Sequence, residues 1–429
     1  MQPTTRLYSL FFTILIFVSG AVLATETADT IYLGGPIITI NDNAPRAEAV
    51  AVANGMILSV GDLDSVMAYK GEGTEIFDLQ GNTMLPGFVD SHGHAVMGGL
   101  QALSANLLAP PDGKVKNIAS LQDTLRTWMV ANNESVELAQ LIVGFGYDQS
   151  QLKELRHPTR HELDAVSTEI PVIIVHQSGH FGVANSKALQ VTGINADSAN
   201  PPGGIIRKGE DGEPTGVLEE NAFFKVLSGL MSGLGEQGLR AFANAGPRLW
   251  ARFGYTTAQE GRAAPATVEA MKIVAAEGGF KIDVVAYPDI MVDRDYIKEN
   301  VSRSYTNRMR VGGAKLTIDG SPQGFTAYRD RPYYDPVGEY ASFYKGYAAV
   351  TDEPVMDAVD WAFKNNIQIL THANGEAASD LLISAVKDAM RKYGGDDHRA
   401  VLIHGQFLRE DQVDSLQTLD IFPSIFPMH

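Results

Sequence analysis

Apolar and polar positions alternate along this chain in two textures. The runs Thr30 to Ile40 and Ala47 to Gly61 are dense in β-branched residues, and Asn54-Gly55 stands between two apolar stretches as a two-residue type I′ hairpin turn does. With the extended piece Glu75 to Leu79 they predict a small β unit. From about Gly254 the pattern changes to short apolar runs that end in polar residues, each followed by a longer amphipathic stretch, which is the signature of βα units. The strand candidates are Gly87 to His92, Tyr255 to Gln259, Ile282 to Tyr287, Gly313 to Ile318, Ile367 to Thr371, Ala400 to His404 and Ile421 to Phe426. Val355, Ala358, Val359, Ala362 and Phe363 recur at three and four residues, the stripe of a covering helix, with Thr351 as its expected cap.

The predicted fold class is therefore α/β, a TIM-like (β/α)8 barrel over residues 86–429. Residues 100–250 read as an insertion of mixed character, with a helical pattern at Leu121 to Met129, a buried strand at Pro171 to His176 and a Pro/Gly cluster at Asn200 to Gly204. Seven strand candidates are one short of eight, and the chain stops at Met428-His429, so an incomplete barrel, a fragment of its parent, is expected. Solenoid repeats and low-complexity tracts are absent.

Composition removes several alternatives. With 429 residues, 45% hydrophobic and 20% charged, the chain suits a large folded core. A formal net charge of −17 without a Lys/Arg run argues against a nucleic-acid partner and leaves a small molecule as the expected one; a homo-oligomer is compatible with the fold class. Cysteine is absent, so a metal must sit on His, carboxylate or modified Lys. Arg6, the apolar Leu7 to Val18 and then Val22-Leu23-Ala24 read as a cleaved export signal over residues 1–24, implying a periplasmic or secreted protein. The apolar run is short for a membrane anchor, so no stable membrane insertion is expected after cleavage.

Histidine marks the strand ends. His92 and His94 alternate along an extended segment and so point the same way, with Gly93 removing bulk between them. His372 ends one strand candidate and His404 the next, 404 − 372 = 32 residues later, a fair length for one βα unit. In a parallel barrel such ends converge on one face. Lys315 lies inside an apolar strand, where an unpaired ammonium is costly. Two explanations stay open: reaction with carbon dioxide to a metal-bridging carbamate, or an ion pair with Asp319 or Asp90.

The run Leu85-Pro86-Gly87-Phe88-Val89-Asp90-Ser91-His92-Gly93-His94 resembles the first-strand signature of the amidohydrolase superfamily. Gly179-His180 with Asn185-Ser186-Lys187-Ala188-Leu189, Lys315 with Asp319-Gly320-Ser321, Thr371-His372-Ala373-Asn374-Gly375 and His404-Gly405-Gln406 narrow the resemblance to the YtcJ-like group of amidohydrolase family 3, over about residues 30–429. It implies His92, His94, Lys315, His372 and His404 as ligands of one or two divalent ions, zinc foremost, with Lys315 carboxylated. It also implies a metal-activated water attacking a non-peptide carbon–nitrogen bond of an amide, formamide or cyclic amide. Ester hydrolysis or deamination on the same site, or a non-catalytic truncated homologue, are the alternatives. His180 is assigned to catalysis and substrate contact, Lys315 to catalysis as well as ligation, and Asp319 and Ser321 to lining the substrate pocket. The superfamily's aspartate after an eighth strand has no counterpart here, nor does the return of the chain that completes the β-sandwich begun by residues 25–85. Glu376 stands where Asp is common.

The remaining candidates are weaker. His176 reads as structural, and His157, His161 and His398 as solvated residues without a role. His429 ends the seventh strand candidate and is expected near the site. Gly144-Phe145-Gly146-Tyr147-Asp148 reads as a turn or a pocket-shaping segment, and lacks the third glycine of a dinucleotide fingerprint. A serine-hydrolase reading fails for want of a Gly-x-Ser-x-Gly elbow.

Overall fold

Asn54 and Gly55 both take positive φ, 51° and 75°, and join two antiparallel strands through the two-residue turn that their sequence announces. The computed structural model describes residues 26–426 except 339 and 396, in two units that meet in the chain between Pro86 and Gly87. The export segment and His429 lie outside the described residues.

In the first unit, β1 (Thr30–Ile38), β2 (Arg46–Ala53), β3 (Met56–Gly61) and β4 (Glu75–Asp78) form one sheet in the order β3-β2-β1-β4. Ile31, Ala49 and Ala51 pack with Val66 of the short helix Leu63–Met67, whose start Asp62 caps by accepting Ser65 N–H at 2.9 Å.

The second unit opens with β5 (Phe88–Val89) and then carries an insertion that the sequence pattern left largely unread. It holds β6 (Ala105–Asn106), β7 (Ile142–Tyr147), β8 (Val172–His176), β9 (Phe181–Ala184), β10 (Gly204–Lys208) and β11 (Pro214–Glu220), in one mixed sheet of order β10-β11-β9-β8-β7-β6. Every residue of β7 and β8 is buried, as continuous apolar runs covered on both faces should be. Gly144 to Tyr147 are thus strand, which corrects the turn expected there. Tight helix packing brackets the insertion: a Cβ on Gly246 would stand 1.7 Å from Ala95 O, and one on Gly99 2.0 Å from Phe242 O, so the helices Ala95–Ala102 and Gly235–Arg252 meet backbone to backbone.

All seven strand candidates are strands, parallel and adjacent in chain order. Besides β5 they are β12 (Tyr255–Ala263), β13 (Asp283–Pro288), the broken strand β14 (Met309–Val311) and β15 (Ala314–Thr317), β16 (Ile369–Ala373), β17 (Val401–His404) and β18 (Phe422–Ile425). They pair as β14-β13-β12-β5 and β15-β16-β17-β18, and a bridge between Asp289 and Lys315 joins the two sets. Among the described residues no ladder joins β18 to β5; Ser424 Oγ reaches Ser91 O at 3.4 Å. Helices such as Pro265–Ala276, Asp352–Lys364 and Glu376–Tyr393 follow the strands and return the chain, which leaves every strand's C-terminal end on one face. Val355, Ala358, Val359 and Ala362 are fully buried, as their spacing requires. Thr351 does occupy the N-cap position of that helix, but its side chain makes no capping bond. Among the described residues no helix is long and apolar enough to cross a membrane.

Candidate metal centre

The polar residues after β5 are held by a short set of specific contacts. Asp90 Oδ2 accepts Trp250 Nε1–H at 2.6 Å and Gln259 N–H at 3.1 Å, tying the strand end to the neighbouring helix and to β12. Burial pushes the Asp90 carboxyl upward against these two donors. Glycine is required beside it: a Cβ on Gly93 would meet Asp90 Oδ2 at 2.3 Å, and one on Gly261 would meet His92 Cε1 at 2.4 Å.

His92 Nδ1 lies 3.0 Å from Gln259 Oε1. An amide oxygen only accepts, so Nδ1 carries the proton and Nε2 presents a lone pair. That Nε2 is 3.4 Å from Lys315 Nζ. Lys315 is buried, and burial, with the charge of Arg262 adding to it, brings its amine down to about 7, while Asp289 and Glu260 oppose the shift. The ion pair with Asp90 or Asp319 that the sequence left open is not formed. Asp90 faces Trp250 and Gln259, and Asp319 takes backbone amides, so the lysine stands as a buried amine beside an imidazole.

His372 is the penultimate residue of β16 and His404 the last of β17, and the parallel register sets them one step apart, His404 opposite Ala373, which brings the two rings together. Ring centroids run in a row: His94 to His92 at 4.9 Å, His92 to His404 at 5.2 Å, His404 to His372 at 4.7 Å and His372 to His180 at 4.9 Å. His404 has φ of 72°, a left-handed conformation that costs a non-glycine residue about 1–3 kcal/mol and that the site sustains. Burial, with the neighbouring imidazoles and Lys315, pushes the basicity of His92 and His372 well down, so both are neutral and keep a lone pair. His94 Nδ1 is 3.8 Å from Glu260 Oε1.

The donor set fits a divalent ion: neutral imidazoles, one with its tautomer fixed by Gln259, and a buried amine of lowered basicity. The donors are gathered rather than closed on a point. Among the described residues no three His, Asp or Glu side chains stand in ligating array, and His372 Nε2 is turned onto Gly320 O at 2.9 Å.

His180 arrives from the insertion, on the turn between β8 and β9, where Gly179 takes φ of 75°. Its Nδ1 is 2.7 Å from Glu220 Oε2, and Glu220, nearly fully buried with φ of 47°, also accepts Thr326 Oγ1–H at 2.6 Å. Asp319 is fully buried, and its oxygens accept three backbone amides, Tyr328 at 2.9 Å, Asn374 at 2.9 Å and Gly375 at 2.8 Å. Burial pushes its carboxyl up to about 7 against those donors. This makes Asp319 a staple holding the loop after β16, 3.5 Å from His372 Nε2. Ser321 is likewise buried and closes its own turn, donating to Gln323 Oε1 at 2.8 Å and accepting Gly324 N–H at 3.3 Å. Glu376 receives Arg329 through two nitrogens, at 2.9 and 3.2 Å. His157, expected to be solvated, is enclosed by Tyr147, His176 and Phe181, with Tyr147 Oη 3.0 Å from its Nδ1.

Sequence reasoning missed Gln259, Glu260 and Glu220. Gln259 ends the candidate strand Tyr255 to Gln259 and Glu260 directly follows it, so the rule that singled out the histidines would have reached them. Glu220 carried no signal, since only the fold of the insertion brings it to His180.

Parallel strands delivering imidazoles and a buried lysine to one face are the arrangement of the amidohydrolase fold. The family model described as Amidohydrolase family matches residues 75–429, and the chain belongs to that family. It is 26% identical to the putative amidohydrolase YtcJ of Bacillus subtilis (strain 168) over 405 residues, 92% of this chain and 72% of that protein. It is 32% identical to the N-substituted formamide deformylase of Arthrobacter pascens over 198 residues, 46% of this chain and 35% of that protein. Its fold matches an uncharacterized metal-dependent hydrolase from Pyrococcus horikoshii OT3 with TM-score 0.68 and 23% identity, covering 92% of this chain and 74% of that one.

Proposed function

We propose that this chain hydrolyses a non-peptide carbon–nitrogen bond, with a formamide or amide as substrate, using zinc held by His92, His94, Lys315, His372 and His404. The observation that carries the reading is the row of neighbouring side chains supplied by four strands, in which His92 stands beside His94 and His404, His404 beside His372, and His92 Nε2 is 3.4 Å from Lys315 Nζ. The formamide class is supported by the likeness to a formamide deformylase over part of the chain. Closure of the parallel strands into a (β/α) barrel, and export through the first 24 residues, belong to the same proposal.

A bound divalent ion lowers the pKa of water and polarises the carbonyl under attack. The chain supplies the rest. Gln259 fixes the His92 tautomer, and Asp319 with its three amides holds the loop that carries His372 and Asn374. Lys315, whose basicity burial brings down to about 7, has a substantial uncharged fraction at neutrality that would be available to carbon dioxide and, as a carbamate, would be an anionic ligand. Glu220 holds the Nδ1 side of His180, which leaves Nε2 to carry a proton to the departing nitrogen or to stabilise charge on the substrate oxygen.

The test is a panel of an N-benzylformamide, an N-alkylacetamide, a cyclic amide, an ester and an aminopurine, assayed with zinc-supplemented protein. Hydrolysis of the formamide or amides that vanishes in the H92A/H94A variant supports the reading. Ester- or aminopurine-only turnover moves the assignment to the esterase or deaminase, and no turnover by folded, metal-loaded chain abandons it for a non-catalytic homologue.

A further inference from the structure

A cavity of ≈ 320 Å³ opens at the C-terminal ends of β12, β13 and β15, lined among others by Glu220, Phe224, Arg262, Asp289 and Thr317. It borders the centre already described. Glu220 is the partner of His180, Thr317 pairs in register with His372, and Asp289 bridges to Lys315.

Arg262 is held in this cavity on two sides. Its Nε donates to Asp289 Oδ2 at 2.8 Å, and its guanidinium carbon lies 4.4 Å from the centroid of the Phe224 ring. The two carboxylates that share the lining are already engaged. Asp289 accepts Arg262 and the Met291 amide at 2.9 Å, and Glu220 accepts His180 and Thr326. Among the described residues the terminal nitrogens of Arg262 have no hydrogen-bond partner, and a guanidinium can only donate. The cavity therefore presents a rigid, forked donor whose terminal nitrogens are unengaged, beside two carboxylates whose oxygens each already hold a donor. Its geometric complement is a carboxylate, which accepts two parallel N–H bonds.

We propose that Arg262 anchors a carboxylate on the non-reacting part of the substrate, so that the molecule acted on is an anion whose labile group reaches the histidines from this cavity. The proposal rests on the hydrolase reading for the reaction, but not for the binding. Phe224 beside the guanidinium offers an apolar face to the body of such a ligand, and the cavity volume suits a small aromatic or branched acid.

Two measurements separate the outcomes. Calorimetric titration of the purified protein with benzoate and with benzamide reads the anchor without turnover. The acid is expected to bind about ten- to a hundredfold more tightly, the worth of one charged hydrogen-bonding pair. R262Q removes that preference, while R262K keeps the charge, loses the fork and retains part of it. Thermal midpoints of both variants establish that they are folded. Equal binding of acid and amide by the natural chain, or an unchanged preference in R262Q, overturns the proposal. Turnover of 4-formamidobenzoate against formanilide then places the anchor in the reaction: the ratio of kcat/KM for the acid to that for formanilide exceeds one in the natural chain and falls about ten- to a hundredfold in R262Q, whatever that variant does to turnover of both through Lys315. Turnover of formanilide with no advantage for the acid leaves the hydrolase standing and sinks the anchor. Failure of both substrates beside a clear benzoate preference sinks the formamide reading alone.

Discussion

Replacing Gly261 with alanine adds one methyl group, and the structure assigns it a single victim. The new Cβ falls 2.4 Å from His92 Cε1, 2.9 Å from His92 Nδ1 and 2.8 Å from Gly93 O, about 1 Å inside ordinary contact. Retreat of the backbone is blocked because Gly261 N–H donates to that same Gly93 oxygen at 2.8 Å. The imidazole must turn, which breaks its 3.0 Å bond to Gln259. Overpacking of this kind costs about 1–3 kcal/mol and the lost hydrogen bond about 1 more. At roughly 2 °C per kcal/mol for a large unit, the thermal midpoint falls by about 4–8 °C. Loss of the partner that orients a metal-binding histidine weakens metal affinity by about ten- to a hundredfold. Differential scanning calorimetry and competition against a chromogenic chelator read the two effects. Gly278→Ala is the control: its φ of 70° makes the substitution strained, yet its Cβ meets nothing within 4 Å, so stability falls while metal affinity holds. A G261A protein with natural metal affinity refutes the placement of His92.

Three further outcomes follow from the same contacts. E220Q weakens the bond that orients His180, so kcat on the formamide falls about tenfold or more with little change in metal content, read by steady-state kinetics beside metal analysis. Burial brings His157 down to about 3 from an ordinary 6.5, so it stays neutral in the fold while the unfolded chain takes up a proton; stability is complete above pH 6.5 and is lost as pH falls toward 3. The thermal midpoint of H157Q is accordingly less sensitive to acid across that window than the natural chain's, and parallel curves contradict the burial argument. G246A drives a methyl group into Ala95 O at 1.7 Å and destabilises the helix pair behind His94 by about 3 kcal/mol, visible as a lower denaturant midpoint.

The strand-end histidines were legible because two regularities coincide: an apolar run long enough to be a buried strand, and an imidazole at the residue where it stops. Ile369 to His372 and Val401 to His404 are such runs, and parallel pairing in chain order puts the two histidines within one register step of each other. The insertion was not legible for the opposite reason. Its strands β9 and β10 have four and five residues, and β11 pairs with both across loops and helices, so the ordering signal lies in contacts that no local pattern encodes. Glu220 and Arg262 inherit that opacity, since each matters through a partner on another element. Asp319 shows a different limit. Its Asp-Gly-Ser setting does not disclose that the backbone amides of Tyr328, Asn374 and Gly375 claim both of its oxygens.

The quantity closest to the central claim is the divalent metal carried by the purified chain, measured by mass spectrometry of the element alongside a folding check. About one to two equivalents are predicted, falling to background in H92A/H94A and in H372A while each variant still unfolds cooperatively. A natural chain that folds and binds no divalent ion, or one that keeps its full complement without His92 and His94, contradicts the account.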